Sequence, residues 1–339
     1  MMGGNAMNMS RWKNEQWILI SLLSVLGLAN PMAAESPHAL FEPPSGKVLL
    51  MAGQSLEDIQ TYENATHVVP GGLMSYTSVQ QAEGLTEPSD AGGGTQDAQV
   101  FVDQYPNTVL QIGLYMVNAC EDVAQGTMDS QIDRIAAWVK RTRRPVFLRV
   151  GYEFDGPHNH YPPTDYIRAY RHIVDRFRHL GVANVAFVWH SYASVVSRPL
   201  TDWYPGDEYV DWFGISYFNQ PQRYMQPVIA LAKQHKKPVM ICEGSPWVVQ
   251  TKYVDSWNLW FAPLFKFIAA NDIKALSYIS CDWDATPMFS QERWGDTHLQ
   301  SNPEILSRWL QETSQDRYLK SSLELFNILG FQTSALPPS

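Results

Sequence analysis

Short apolar runs of strand length alternate with amphipathic stretches of helix length along most of this chain. Eight such runs predict strands, near residues 47–52, 67–79, 108–117, 146–150, 185–189, 210–218, 237–244 and 275–283. Between most of them, apolar residues recur at helical spacing, as over residues 129–141 and 164–180. This alternation favours a (β/α)8 TIM barrel in a single domain, with catalytic residues on the loops at the carboxyl ends of the strands. A doubly wound open sheet is the alternative fold, although no glycine-rich dinucleotide motif follows the first strand.

The two ends of the chain differ from this alternating region. Residues 1–34 are typical of a signal peptide, because basic residues precede an apolar run over residues 17–29 that ends in small residues. An uncleaved anchor is the alternative, but the run is shorter than a membrane span requires. Residues 35–315 are expected to form the catalytic barrel, and residues 316–339 a peripheral C-terminal tail. The leader predicts a secreted or periplasmic protein that has no membrane contact after cleavage.

Composition narrows the class of partner. The net charge is −9 and only 17% of the residues are charged, so nucleic acid and anionic membrane surfaces are unfavourable partners. Aromatic residues reach 12%, with 12 Trp and 16 Tyr, and such rings suit the apolar faces of sugars. Cys120, Cys242 and Cys281 lack the spacing of a zinc site; we expect them to be buried, although export would permit one disulfide of unknown pairing. No cofactor is expected, and the oligomeric state stays open.

Two glutamates follow apolar runs of the same design. The run Val146–Val150 contains a single charge, Arg149, and alternation places Arg149, Gly151 and Glu153 on one face, just before a turn. Glu243 ends another apolar run before a second turn cluster. These are predicted strands four and seven, whose ends face each other across a barrel mouth. Two carboxyl groups on one cleft are the machinery of glycoside hydrolysis, one protonated to release the leaving group and the other ionised.

The surroundings of these glutamates leave two questions open. An inward Arg149 would hold nearby carboxylates ionised, or else pair with a carboxylate of the core. A metal site is the alternative use of the two glutamates, but it would need further oxygen ligands such as Asp282 and Asp284, and we predict no metal. Further residues beside the predicted strand ends are expected to contact substrate: His158 and Asn159 after strand four, His190 after strand five, and Trp247 after strand seven.

The two glutamate strands resemble those of the clan A glycoside hydrolases, whose catalytic residues end strands four and seven. Four stretches are similar to family 26, which contains β-mannanases: residues 149–153, 181–189, 204–215 and 237–243. The resemblance implies a retaining double displacement with Glu153 as acid/base and Glu243 as nucleophile. It also implies that Tyr217 is an aromatic residue near the nucleophile and that Trp283 is a sugar platform.

Next to Glu153 the sequence departs from the family pattern. Tyr152 stands where family 26 usually has His, a neighbour that commonly contacts the sugar. Asp155 lies in a stretch that replaces the usual Met-Asn. Tyr152 and Asp155 are therefore further candidates for substrate contact, and the choice between mannan and xylan stays open.

The predicted lining of the cleft is aromatic and largely uncharged, which favours a neutral, β-linked polysaccharide cut internally. Retention would place the two carboxyl groups ~5–5.5 Å apart, and Glu153 would carry the raised pKa of the acid. The alternative function is a non-catalytic glycan-binding barrel or an accessory protein of exopolysaccharide metabolism, because a fold alone does not establish activity.

Overall fold

The computed structural model describes residues 39–195 and 198–332. Within these ranges the strands are β1 (Val48–Gly53), β2 (Gly72–Ser78), β3 (Val109–Tyr115), β4 (Val146–Val150), β5 (Val185–Ser191), β6 (Trp212–Tyr217), β7 (Val239–Gly244), β8 (Ala275–Ile279) and β9 (Tyr318–Leu319). The helices are α1 (Leu56–Thr66), α2 (Ala98–Gln104), α3 (Cys120–Ala124), α4 (Asp129–Thr142), α5 (Pro163–His179), α6 (Gln226–His235), α7 (Ala262–Ala270), α8 (Pro303–Thr313) and α9 (Leu325–Ile328). In the same ranges no helix is long and apolar enough to cross a membrane. The predicted signal peptide lies outside the described residues.

Eight parallel strands close into a barrel. Strands β2 to β8 pair in chain order, and β1 pairs with both β8 and β2. Helices connect most of the successive strands, so the predicted (β/α)8 barrel in a single domain is confirmed. The last predicted strand is too long, because β8 ends at Ile279 and the chain then leaves the barrel wall for the loop that follows.

Alternation along the strands decides which side chains fill the barrel. Many of the inward residues belong to one buried apolar cluster, which includes Met51, Val109, Phe147, Val188, Trp212 and Met240. Their chain neighbours point outward and pack against the helices, as Leu50, Leu110, Leu148, Trp189, Phe213 and Ile241 do. Cys120, Cys242 and Cys281 are buried, as predicted, and are unpaired.

The segment after α8 closes the base of the barrel instead of lying at its periphery. β9 pairs in parallel with β1, joining Tyr318 to Val48 and Leu319 to Leu49. The ring of Phe331 then packs edge-on against Phe41 at 5.8 Å between centroids, within the same apolar cluster as the barrel interior. The expected peripheral tail is therefore corrected for residues 318–331, because this segment buries apolar side chains under the barrel.

Candidate active site

A turn, and not the strand before it, positions Glu153. β4 ends at Val150, and Gly151 and Glu153 follow with positive φ angles of 55° and 51°. The expectation that strand alternation reaches Glu153 is therefore wrong. Residue 151 has to be glycine, because a Cβ atom would lie 2.6 Å from Met116 Cε and 2.7 Å from Tyr166 Cε2.

An irregularity in β7 turns Glu243 toward the barrel mouth. Cys242 points inward and Ile241 packs outward, so strict alternation would send Glu243 outward as well. The register against β6 shifts at Ser216, which pairs with Glu243. A bulge of this kind re-aims the side chain that follows it, so two consecutive residues of β7 face the interior.

Two donors hold the Glu243 carboxylate. Arg149 Nη1 donates to Glu243 Oε1, and Tyr76 Oη from β2 donates to the same oxygen at 2.8 Å. Arg149 is completely buried, with its guanidinium 4.9 Å from the centroid of the Tyr76 ring and 5.2 Å from that of Tyr152. Burial opposes the charge of Arg149, but Tyr76 and Glu243 outweigh it and raise its pKa. Glu243 therefore lies against the positive charge of a buried guanidinium.

The environment of Glu153 favours the protonated acid. Its side chain is only 7% exposed. Burial raises the pKa of Glu153, and the negative charge of Glu243 raises it further, against hydrogen bonds from His158 and Ser216 that act in the opposite direction. The predicted raised pKa of Glu153 agrees with this arrangement.

A chain of hydrogen bonds connects the two carboxyl groups. Burial, together with the charge of Arg149, lowers the pKa of His190 well below its usual value, so the imidazole is neutral. Arg149 can only donate, so His190 Nδ1 accepts from it at 3.4 Å and the ring proton lies on Nε2. His190 Nε2 then donates to Ser216 Oγ at 3.0 Å, and Ser216 donates to Glu153 Oε1 at 2.5 Å. The sequence predicts that His190 contacts substrate. In the structure it is buried, and both of its ring nitrogens are engaged in these hydrogen bonds.

Asp155 and Asn159 also have structural partners where substrate contact was predicted. Asp155 accepts from Ser191 Oγ and from the Tyr192 amide, both at 2.7 Å. Asn159 is buried and donates to the carbonyl oxygens of Tyr152 at 2.9 Å and Glu153 at 3.1 Å. Both side chains therefore stabilise the loop that carries Glu153, because their polar atoms are bonded within it or to β5.

The two aromatic roles implied by the family resemblance are not supported by the geometry. Tyr217 points out of the barrel and packs against Trp260 and Phe267 in the layer between sheet and helices. The reason is parity, since Trp212, Gly214 and Ser216 are the inward positions of β6. Trp283 is 2% exposed, which leaves no ring face for a sugar, and its indole nitrogen donates to Ser245 Oγ at 3.1 Å.

Partly exposed aromatic rings flank the two glutamates on opposite sides of the barrel mouth. On the β2–β4 side, the Tyr152 ring lies 5.3 Å from that of Tyr76 and 6.3 Å from that of Tyr115. On the β6–β8 side, the Trp247 ring stacks on Phe218 at 5.3 Å and contacts Trp294 at 4.4 Å. Tyr152 and Trp247 therefore remain available to a ligand, and His158 reaches the same cleft with a side chain that is 48% exposed.

Sequence reasoning missed three residues of the site: Tyr76, Ser216 and Trp294. The pattern of β2 holds a signal for Tyr76, since Met74 and Tyr76 share the inward face of the strand. Counting forward in steps of two from the inward residue Trp212 places Ser216 inside as well. For Trp294, which lies on a long loop, no periodic pattern exists.

The acidic residues considered as metal ligands lie in the loop after β8. Asp284 Oδ1 accepts from the Gly295 amide at 3.0 Å, and the backbone of Asp282 forms a bridge with that of Asp296. Among residues 39–195 and 198–332, no group of three or more His, Cys, Asp or Glu side chains is arranged to hold a metal ion. The absence of a metal stays a prediction of the sequence.

Solved structures with a similar fold include family 26 mannanases. A β-mannanase from Bacteroides ovatus aligns with a TM-score of 0.59 at 15% identity, over 83% of this chain and 93% of that one. A modular endo-β-1,4-mannanase from Cellulomonas fimi also has a TM-score of 0.59 at 15% identity, over 89% of this chain and 80% of that one. At this identity the likeness concerns the fold alone.

Sequence comparison with known proteins identifies the family of this chain. The profile of glycosyl hydrolase family 26 matches residues 84–256, just over half of the chain. A β-1,3-xylanase from a Vibrio species is 32% identical over 93% of this chain and 75% of its own length. A β-1,3-xylanase from an Alcaligenes species is 31% identical over 92% of this chain and 73% of its own. With matches of this extent, the chain belongs to glycosyl hydrolase family 26 and is a glycoside hydrolase that acts on a polysaccharide.

Proposed function

We propose that this protein is an exported, retaining endo-β-1,3-xylanase in which Glu243 is the nucleophile and Glu153 the acid/base. The observation that carries the proposal is the contrast between the two carboxyl groups. Glu243 accepts from Arg149 and Tyr76, whereas Glu153 is buried beside that negative charge and has a raised pKa. One ionised and one protonated carboxyl on the same cleft supply the two roles of double displacement.

The chemistry follows from these environments. Glu153 gives its proton to the oxygen of the leaving sugar while Glu243 attacks the anomeric carbon and forms a covalent glycosyl-enzyme. Bond formation removes the negative charge of Glu243, which is one of the causes of the raised pKa of Glu153. The pKa of Glu153 therefore falls when the intermediate forms, so Glu153 stays ionised after giving up its proton and can take a proton from the water that hydrolyses the intermediate with overall retention.

The two relatives named β-1,3-xylanases support β-1,3-xylan as the substrate, because they match almost the whole chain. The aromatic rings around Tyr152 and around Trp247 support internal cleavage, since sugar units can stack on both sides of the glutamates. Xylan is also uncharged, in agreement with a cleft whose partly exposed rings are tyrosines and tryptophans.

The test is a panel of β-1,3-xylan, β-1,4-xylan and β-1,4-mannan, with reducing ends measured for the wild type, Glu153→Ala and Glu243→Ala. Glu87→Ala, at an exposed glutamate distant in sequence from both strands, is the matched control. We expect release from β-1,3-xylan, a loss of roughly 10²–10⁴-fold in Glu153→Ala, and no detectable activity in Glu243→Ala. Oligosaccharide products of several lengths would support internal cleavage, and monosaccharide alone would contradict it.

Azide separates the two glutamates. With an activated aryl xylobioside, azide should rescue Glu153→Ala as a β-glycosyl azide and Glu243→Ala as an α-glycosyl azide, which NMR distinguishes. Inverted products from the wild type would refute the retaining mechanism. Export is tested by the N-terminal sequence of the protein recovered from medium or periplasm, where an intact residue 1 would contradict cleavage of the leader.

A further inference from the structure

His158 lies on the solvent side of Glu153. Its Nε2 atom is 2.8 Å from Glu153 Oε2, and its side chain is 48% exposed while that of Glu153 is 7% exposed. The imidazole therefore connects the buried carboxyl group to the surface. It contacts Glu153 directly, whereas the sequence predicts a contact with substrate.

The loop from Glu153 to Asn159 is built to hold this imidazole in place. The Gly156 amide donates to the Glu153 carbonyl at 2.8 Å, and the Asn159 amide donates to the Gly156 carbonyl at 3.1 Å. A Cβ atom at residue 156 would lie 2.6 Å from His158 Cε1, so glycine makes room for the ring. The ring also packs edge to face against Tyr192, the residue after β5, at 5.2 Å between centroids.

The other oxygen of Glu153 is committed to a different partner. Oε1 accepts from Ser216, whose hydroxyl proton is directed there by the chain from Arg149 through His190. The exchangeable proton of Glu153 therefore belongs on Oε2, the atom that His158 contacts.

We propose that His158 is a positioning residue that shares the acid proton of Glu153 and keeps it available at higher pH. The inference rests on the proposed role of Glu153 as acid/base. In one arrangement the proton lies on Nε2 beside a carboxylate; in the other it lies on Oε2 beside a neutral imidazole, and total charge is the same. In each turnover the pair gives this proton to the leaving group and recovers one from water, so the protonation state of the pair is restored at the end of the cycle.

The charges around the ring favour this sharing. The titratable groups that face His158 come from its own loop, from β5 with the residue that follows it, and from β7: Glu153, Asp155, His190, Tyr192 and Glu243. Burial opposes the charged ring, but the hydrogen bond and charge of Glu153, with Glu243 and Asp155, raise the pKa of His158 overall. When His158 is charged, the shared proton lies on its ring and not on Glu153. The pair as a whole nevertheless loses its last proton at a higher pH than Glu153 would alone.

The kinetic test compares His158→Gln and His158→Ala with the wild type on the polysaccharide substrate. His160→Gln, in the same loop and exposed, is the matched control. The alkaline limb of kcat/KM should move to lower pH in both His158 variants and stay in place in the control. His158→Ala should also lose roughly tenfold in kcat at its optimum, the effect of one charge-assisted hydrogen bond, and the amide of Gln should restore most of that loss.

The role acts through Glu153, so two further results must follow. With an aryl glycoside whose leaving group needs no protonation, His158→Ala should form the glycosyl-enzyme at the rate of the wild type. The double variant Glu153→Ala/His158→Ala should have a kcat no lower than that of Glu153→Ala. A defect confined to KM, or an unmoved alkaline limb, would overturn the proposal and make His158 a substrate contact.

An NMR titration separates this inference from the proposed function, because it needs no activity. The ring signal missing from His158→Gln identifies His158, and its pKa should lie above the ordinary value in the wild type and fall in Glu153→Gln. An unchanged pKa in Glu153→Gln refutes proton sharing even in an active enzyme. An inactive enzyme with the expected titration refutes the proposed function alone.

Discussion

Replacing Arg149 with methionine is expected to destabilise the barrel because it leaves the charge of Glu243 buried without a partner. Arg149 is fully buried and the Glu243 side chain is 9% exposed, so little water is available to screen either charge. Breaking a buried pair by removing one partner costs about 3–5 kcal/mol in the free energy of unfolding. For Arg149→Met we expect the lower end, because Nε and Nη2 of Arg149 have no partner among the described residues and their burial cost disappears. Glu243→Gln keeps the buried cation and should lie at the upper end.

The double variant Arg149→Met/Glu243→Gln tests whether the two charges stabilise the fold as a pair. It removes both charges, so it should lose no more stability than either single variant, and the sum of the two single effects should exceed the double effect by about 5 kcal/mol or more. Urea unfolding followed by fluorescence and by circular dichroism measures this, with coincident curves as the check on two-state behaviour. Single effects that add to within about 0.5 kcal/mol would refute the ion pair as a stabilising unit.

Three further predictions concern the residues around the glutamates. Ser216→Ala removes a hydrogen bond that lowers the pKa of Glu153, so the acid stays protonated longer and the alkaline limb of kcat/KM should move to higher pH, opposite to the His158 variants. Gly151→Ala places a Cβ atom 2.6 Å from Met116 in a left-handed turn and should cost about 1–3 kcal/mol of unfolding free energy and most of the activity, whereas the loss should be small if the turn can relax. Trp247→Ala should raise KM for polysaccharide by roughly tenfold or more with a smaller change in kcat, and an unchanged KM would exclude Trp247 as a stacking surface.

The barrel and its two glutamates could be predicted because they depend on strong local patterns. Buried parallel strands read as apolar runs, and an Arg or Glu inside such a run is conspicuous. The roles that the resemblance implied for Tyr217 and Trp283 are not supported, because neither side chain presents a ring face to the cleft. Parity on β6 turns Tyr217 outward, and the closing loop buries Trp283.

The partners of the glutamates could not be predicted from local patterns. Ser216 donates to Glu153 across 63 positions of sequence and Tyr76 donates to Glu243 across 167, so neither pairing has a local signal. The bulge in β7 is equally invisible, because an extra residue in a strand is defined only by the register of its neighbour. His158 lies on the predicted loop, but only the fold of that loop shows its contact with Glu153.

The packing of residues 318–331 under the barrel affects how the chain folds while it is being synthesised. β1 is among the first elements to leave the ribosome, yet two of its three partner strands, β8 and β9, begin at residues 275 and 318. The ring of Phe41, which packs against Phe147, likewise lacks its contact with Phe331 until the end of the described sequence. Contacts of such separation form late because a long loop must close first. A nascent chain therefore carries an open edge and an apolar underside until nearly all of the described sequence has been made, so its exposure to aggregation lasts for most of translation.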